Sequence, residues 1–359
     1  MTSPSDTETG SVAPVDFADL LTGVSRTFAL SIPELPEPLD SWVTCAYLVC
    51  RIVDTLEDRP GLDEAARQRA FDALLSVLGP PVDVSRWSEN GRWGENPAGP
   101  GPGRVSTVND PCATLMASSG YVFEWLTSFP EPAVAAVRRC VTEMIAGLRR
   151  TPLPPGHDEP RILFETIHQL ERYCHYAAGA VGLMLTRLFA VHLGEQVFTP
   201  NRAKLHAGKR FGRGLQLTNI IKDHPADLRD GRCFIPREAL RRFSLTRADL
   251  LRPHLPFEVR RWIVDRALAH LKIALDYTLS IPPAAAGIRR FCLQPLMMAV
   301  LTLERVLTHP DITPDDRPKI TRAQVAEVIS FSVEYGSHDA AIRAWFESSP
   351  SLKPRVNAC

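Results

Sequence analysis

Residues 41–58 read SWVTCAYLVCRIVDTLED. The stretch is apolar with a few polar interruptions and closes on acids. It lacks the strict apolar–polar alternation of a half-buried strand. The breaker run Pro33-Glu-Leu-Pro36-Glu-Pro38 precedes it and Pro60 follows it. This punctuation predicts one long helix that begins near Pro38 or Asp40 and ends at Asp58.

The same helical periodicity recurs outward along the chain. Helices are expected over 62–78, 112–128, 131–148, 161–193, 201–227, 257–280, 284–307 and 322–347. Prolines cluster between many of them, at 152–155, 282–283 and 310, and act as punctuation. Residues 79–111, which include PAGPGPG, are dense in Gly, Pro, Ser and Asn and read as a loop insertion. No fixed-period repeat appears. The expectation is an all-α fold, a bundle of helices around a central cavity. One domain is expected over 16–347, between tails at 1–15 and 348–359.

Bulk properties narrow the function classes. Apolar residues make up 45% and charged residues 23%, an ordinary globular composition. Lys+Arg and Asp+Glu are 41 each, so the chain lacks the basic footprint of a nucleic-acid binder. Any phosphate binding must come from a local site. The eight cysteines form no C-x-x-C pair, and several lie in apolar runs. They read as reduced thiols of a cytoplasmic protein. The N-terminal MTSPSDTETGSVAP has no apolar signal core, and SLKPRVNAC is polar. No run of about 18 apolar residues appears, so no membrane span is expected.

Two acidic constellations carry chemistry. Asp54, Glu57 and Asp58 share one helix face, as do Tyr47 and Arg51. Clustered carboxylates repel one another unless a cation lies between them. Hard oxygen donors in this pattern suit Mg²⁺, which takes few carboxylates and completes its shell with water and substrate phosphate. A solvated acidic helix end is the plainer alternative. Acids at a helix C-terminus oppose the macrodipole, however, so helix stability does not account for them.

The second constellation is Gln216, Asn219, Asp223 and Asp227, a polar stripe at helical spacing between apolar Leu215, Leu217, Ile220 and Ile221. Buried amides and carboxylates on an apolar helix need partners. Pro225 predicts a kink or a nearby helix end. An ordinary amphipathic helix is again the alternative. Two acidic helices, each with a basic neighbour (Arg51, Lys222), are suited to clamping a diphosphate through metal ions.

Two weaker constellations remain. In YCHYAAGAVG, 173–182, small residues either admit a neighbouring helix or leave room for a ligand chain, and a tyrosine there is able to move a proton or stabilise a cation. His175 reads as a packing residue. Ser25-Arg26-Thr27 is a phosphate contact or a helix cap.

In order along the chain, SRTFALSI, YLVCRIVDTLED, YCHYAAGAVG, LQLTNIIKDHPADLRDGRCFIP, FCLQPLMMAVLTL and KITRAQV resemble the motifs of the squalene/phytoene synthases. The likeness runs from about Val24 to about Val325. The tyrosine motif and the late helix resemble squalene synthases in particular. The resemblance implies an isoprenoid-synthase helical bundle around an apolar channel. It implies two farnesyl diphosphates condensed to presqualene diphosphate, then reduced by NADPH to squalene. Asp54, Asp58, Asp223 and Asp227 match Mg²⁺ positions, with Glu57 in support. Ser25, Arg26, Arg51 and Lys222 match phosphate contacts, and Phe28, Tyr47 and Gln216 match substrate-lining positions. Tyr173 matches a proton-transfer tyrosine. Asn219 and Lys222, with Lys319 and Arg322, match the reductant side.

The second motif departs from the family pattern. Lys222 stands where Arg is common, and Ala226 where a carboxylate is common. Related outcomes are therefore arrest at presqualene diphosphate, dehydrosqualene or phytoene synthesis, or prenylation of a non-isoprenoid acceptor. A prenyl-lipid-binding assembly factor is the non-enzymatic counterpart. A monomer with no more than peripheral membrane contact is expected.

Overall fold

Asp16 starts the first helix. Its carboxylate accepts the N–H groups of Ala18 and Asp19 and opens α1 (Phe17–Val24) in this computed structural model. The structure describes residues 16–25, 27–58, 63–90, 110–151, 160–309 and 317–349. After α1, α2 (Phe28–Ser31) and a 3₁₀ turn at Ile32–Glu34 lead into α3 (Leu39–Asp58). α3 is the helix expected between the proline run and Pro60.

α4 (Glu64–Val77), capped by Asp63, follows as expected. A short helix, α5 (Ser85–Asn90), lies within the stretch read as a loop; residues 91–109 of that stretch fall outside the described residues. The helix expected at 112–128 is two, α6 (Pro111–Ala117) and α7 (Ser119–Thr127), broken at Ser118. The Ser119 hydroxyl lies at this break. It donates to the Met116 carbonyl and accepts the Trp87 indole N–H at 2.8 Å. Such local side-chain bonds compete with a continuous helix. α8 (Glu131–Leu148) matches its expected bounds, with proline in its first turn.

Residues 161–193 were expected as one helix and are not. They begin with β1 (Arg161–Ile162), which pairs in parallel with β2 (Arg232–Cys233). The bridge is two residues long, so the all-α class stands. α9 (Ile167–Cys174) then starts at a Thr166–Gln169 capping box, passes through a π turn at His175–Gly179, and continues as α10 (Ala180–Leu193).

α11 (Arg202–Arg229) includes Pro225 in its final turns and ends soon after it. Proline removes one backbone donor there, and the flanking turns carry the helix onward. Two short helices that the periodicity did not reveal follow, α12 (Glu238–Phe243) and α13 (Arg247–Leu250). α14 (Phe257–Leu279) and α15 (Ala286–Thr308) match expectation. The last expected helix is interrupted at Gly336, giving α16 (Arg322–Tyr335) and α17 (Asp339–Ser348).

α11 is the axis of the bundle. It lies along α14 and also packs on α10, α15 and the π turn. The close packing is set by glycine: a Cβ on Gly212 would stand 2.1 Å from the Ala178 carbonyl oxygen. The described helices share one apolar core, in which Leu48, Ile52, Phe189, Leu271 and Leu296 are fully buried. Each such side chain stabilises the fold by roughly 1.5–3 kcal/mol.

Two stretches, Ile167–Leu193 and Ala286–Thr308, are long and apolar enough to cross a membrane, with mean hydropathy 1.4 and 1.3. The simple count of consecutive apolar residues did not reveal them. Here they are helices of the bundle, and both contribute walls to its cavity.

Candidate active site

A cavity of about 220 Å³ lies between α3, α10, α11, α14 and α15. Much of its lining is aromatic and apolar, including Phe189, Phe211, Tyr277, Phe291 and Pro295. The Tyr277 phenol is buried and reaches the Thr186 hydroxyl at 2.9 Å. Its polar group is therefore satisfied within the wall. Burial pushes the Tyr277 pKa well up, so the phenol stays neutral. The small residues of the 173–182 motif serve both of the roles left open for them. Gly182 meets α11 backbone to backbone, and Ala177, Ala178 and Gly182 widen the cavity.

Arg51 and Asp54 are the charged residues that line this cavity, and Gln216 and Asn219 join them from α11. Helical spacing explains the grouping. Tyr47, Arg51 and Asp54 share one face of α3, and Gln216 and Asn219 share one face of α11. Arg51 Nη1 lies 4.0 Å from Asp54 Oδ2, and Nη2 donates to the Cys112 sulfur at 3.5 Å. Burial works against the Arg51 charge, but Asp54 and Cys112 outweigh it and its pKa is raised. Arg51 is a fixed cation at the polar end of an apolar chamber.

Tyr47 also lines the cavity. Its hydroxyl donates to the Val24 carbonyl at 3.4 Å, and its ring tilts against Phe28 at 5.5 Å. Burial raises its pKa, against the opposing effects of Ser25 and Arg51. Ser25 Oγ accepts the N–H of Phe28, the first residue of α2, at 3.0 Å. Arg26 lies outside the described residues, and of Asp58 only the helix backbone is described. Glu57 is buried and Asp54 half-buried on the same turn.

On α11 the polar stripe continues beyond the cavity. Lys222 Nζ donates to Asn219 Oδ1 at 3.1 Å and lies 3.2 Å from Asp223 Oδ2. Arg317 Nη1 donates to the other Asp223 oxygen at 2.9 Å. Asp227 stands one turn further on, half-buried.

Three expected assignments look different in the structure. Tyr173 does not line this cavity. It is buried in an aromatic cluster with Phe164 and Phe234, at centroid distances of 5.6 and 5.2 Å. Lys319 and Arg322 are exposed, and Arg322 simply opens α16 behind the Thr321–Gln324 capping box. His175 is more than packing: its Nε2 meets Glu143 Oε1 at 2.8 Å, and this contact lowers the Glu143 pKa.

Arg317 and Tyr277 were missed. Arg317 lies two residues before the basic segment singled out in the sequence, and its partner is 94 positions away. Tyr277 carries no local signal, since its role depends on the packing of α10 against α14.

Among the described residues, no three His, Cys, Asp or Glu side chains converge to hold a metal ion by themselves. The donors nevertheless fit Mg²⁺. They are hard carboxylates on two helices beside fixed cations, and Mg²⁺ usually binds one or two carboxylates together with substrate phosphate.

The chain matches the squalene/phytoene synthase family model over residues 21–324. It belongs to that family. It is 31% identical to the squalene synthase of Schizosaccharomyces pombe over 88% of this chain and 64% of that protein. It is 28% identical to the squalene synthase of Saccharomyces cerevisiae over 82% of this chain and 62% of that protein. The chain thus spans somewhat under two thirds of the length of these curated relatives. Its fold is similar to that of TcSQS in complex with a ligand, with a TM-score of 0.75 over 96% of this chain and 93% of that one at 24% identity.

Proposed function

We propose that the chain is a Mg²⁺-dependent prenyltransferase. It condenses two farnesyl diphosphates to presqualene diphosphate and reduces this with NADPH to squalene. One observation carries the reading: a single apolar cavity whose charged lining residues, Arg51 and Asp54, stand on the helix face next to the amide stripe of α11. An allylic diphosphate needs that division, with its oxygens at the polar end and its carbocation in a dry chamber.

In the first half-reaction the carbon–oxygen bond of one substrate breaks and diphosphate leaves. Asp54 and Asp58 on α3 and Asp223 and Asp227 on α11, with Glu57 behind, would hold Mg²⁺, which would supply charge neutralisation for the leaving group. Arg51 and Lys222 hold phosphate oxygens as that charge develops. Tyr47, Phe28 and the aromatic floor pack the chain and exclude water. The double bond of the second substrate forms the new carbon–carbon bond, and ring closure expels a proton. Tyr173 takes the proton-transfer role that family membership gives it. In the second half-reaction the remaining carbon–diphosphate bond breaks and the second diphosphate leaves, and NADPH would supply the hydride that the resulting carbocation takes up. Gln216 and Asn219 face that step from the cavity lining, and Lys319 and Arg322 steer the dinucleotide from the surface. The enzyme works as a cytoplasmic monomer, with its product leaving through peripheral membrane contact.

The test is incubation with farnesyl diphosphate and Mg²⁺, with and without NADPH, followed by product analysis. Squalene only with NADPH, presqualene diphosphate without it, and neither in EDTA is the expected result. Dehydrosqualene or phytoene would replace the reductive step. No turnover of any prenyl diphosphate would reject the enzyme.

A further inference from the structure

Asp223 has a cation on each of its oxygens. Lys222, its neighbour on α11, approaches Oδ2 at 3.2 Å. Arg317, from the segment ahead of α16, donates to Oδ1 at 2.9 Å. Lys222 also holds the Asn219 amide oxygen at 3.1 Å, and Asn219 lines the cavity. Asn219, Lys222, Asp223 and Arg317 are therefore one polar line leading from the cavity lining to the chain before α16.

Two cations thus bracket the Asp223 carboxylate, one on each oxygen. Position 226, on the same helix, is alanine and adds no anion. A divalent cation bound to Asp223 would compete with Arg317 for the carboxylate oxygens. Phosphate oxygens on that same ion would offer the guanidinium new acceptors. A guanidinium is suited to such an exchange, because its planar fork fits phosphate and carboxylate alike and it never loses its charge.

We propose that Arg317 is a diphosphate-binding residue of the second acidic site. It holds the Asp223 carboxylate in this structure and donates to a diphosphate oxygen when magnesium diphosphate is bound. The inference rests on the diphosphate chemistry proposed above. It gives the segment before α16 a role at the phosphate, through Arg317, distinct from the exposed Lys319 and Arg322.

The experiment is titration calorimetry of the full chain with inorganic diphosphate in Mg²⁺, without turnover. Wild type, Arg317→Ala, Arg317→Gln and Arg317→Lys are compared. Arg343→Ala, which breaks the surface pair with Asp276, is the control. Arg317→Ala and Arg317→Gln are expected to bind about ten-fold more weakly, as loss of a charge-assisted bond implies, with Arg317→Lys between them and wild type. Arg343→Ala binds as wild type. Unchanged binding in a folded Arg317→Ala or Arg317→Gln overturns the inference and leaves the proposed function intact. No binding by wild type overturns the diphosphate reading itself.

Discussion

Gly182 and Gly208 meet backbone to backbone: a Cβ on Gly182 would lie 2.0 Å from the Gly208 carbonyl oxygen. Both residues line the cavity, so the crossing of α10 and α11 also sets one of its walls. Gly182→Ala must push two helices apart. It should destabilise the protein by about 1–3 kcal/mol. Gly120→Ala, on α7, is the contrast, because a Cβ added there would meet nothing within 4 Å. There the helix should gain roughly 0.5–1 kcal/mol from alanine. Urea melts of the two variants should shift in opposite directions; a Gly182→Ala variant as stable as wild type would refute the contact.

Asp54 and Asp223 are assigned the same role from different helices. Asp54→Ala or Asp223→Ala should each lower presqualene diphosphate formation by at least about a hundred-fold, since each removes a charge-stabilising ligand. Circular dichroism should show both variants folded. Wild-type rates in both would remove the metal assignment.

Tyr173 separates ring from hydroxyl. Its ring packs at 5.2 Å from Phe234 and 5.6 Å from Phe164, and Tyr173→Phe keeps those contacts. Stability should hold while kcat falls by about a hundred-fold, the scale of a lost proton transfer. An unchanged kcat would leave Tyr173 a packing residue.

His270 makes stability depend on pH. It is buried on α14, with its Nε2 3.8 Å from Glu171 Oε1. Burial lowers its pKa. The Glu171 contact opposes that shift, and Arg210 and Arg213 add to it. The unfolded chain therefore binds this proton more readily than the folded one, so stability rises with pH. The contribution is present above the unfolded histidine value of about 6.5 and is lost as pH falls from there through the lower folded value. Denaturation of His270→Gln should lose less stability than wild type between about pH 7 and pH 5. Equal slopes would show that His270 does not titrate in this window.

What was legible in the sequence was what neighbours along a helix decide. α8 and α14 lie where their prolines and apolar periodicity placed them. Tyr47, Arg51 and Asp54, like Gln216 and Asn219, reach one cavity because three- and four-residue spacing puts them on common faces. The breaks at Ser118 and Gly336 had local Ser and Gly signals in Ser118-Ser119-Gly120 and Gly336-Ser337, but the apolar periodicity on either side masked them. Arg317 and Tyr277 were hidden because their partners, Asp223 and Thr186, are 94 and 91 positions away. Pro225 also read true as the sign of a nearby helix end, since α11 stops at Arg229.

The π turn at His175–Gly179 takes in one residue more than an α turn. On an unbroken helix Tyr173 and Ala177 would stack on one side. The extra residue offsets the two halves by about 100°, the rotation of one helical residue. Tyr173 therefore turns to Phe164 and Phe234, while Ala177 and Ala178 look into the cavity. The turn works as a gear between α9 and α10. Deleting one residue within 175–179 would not shorten a loop; it would rotate the phenol and the cavity wall against each other and change which of them the substrate meets.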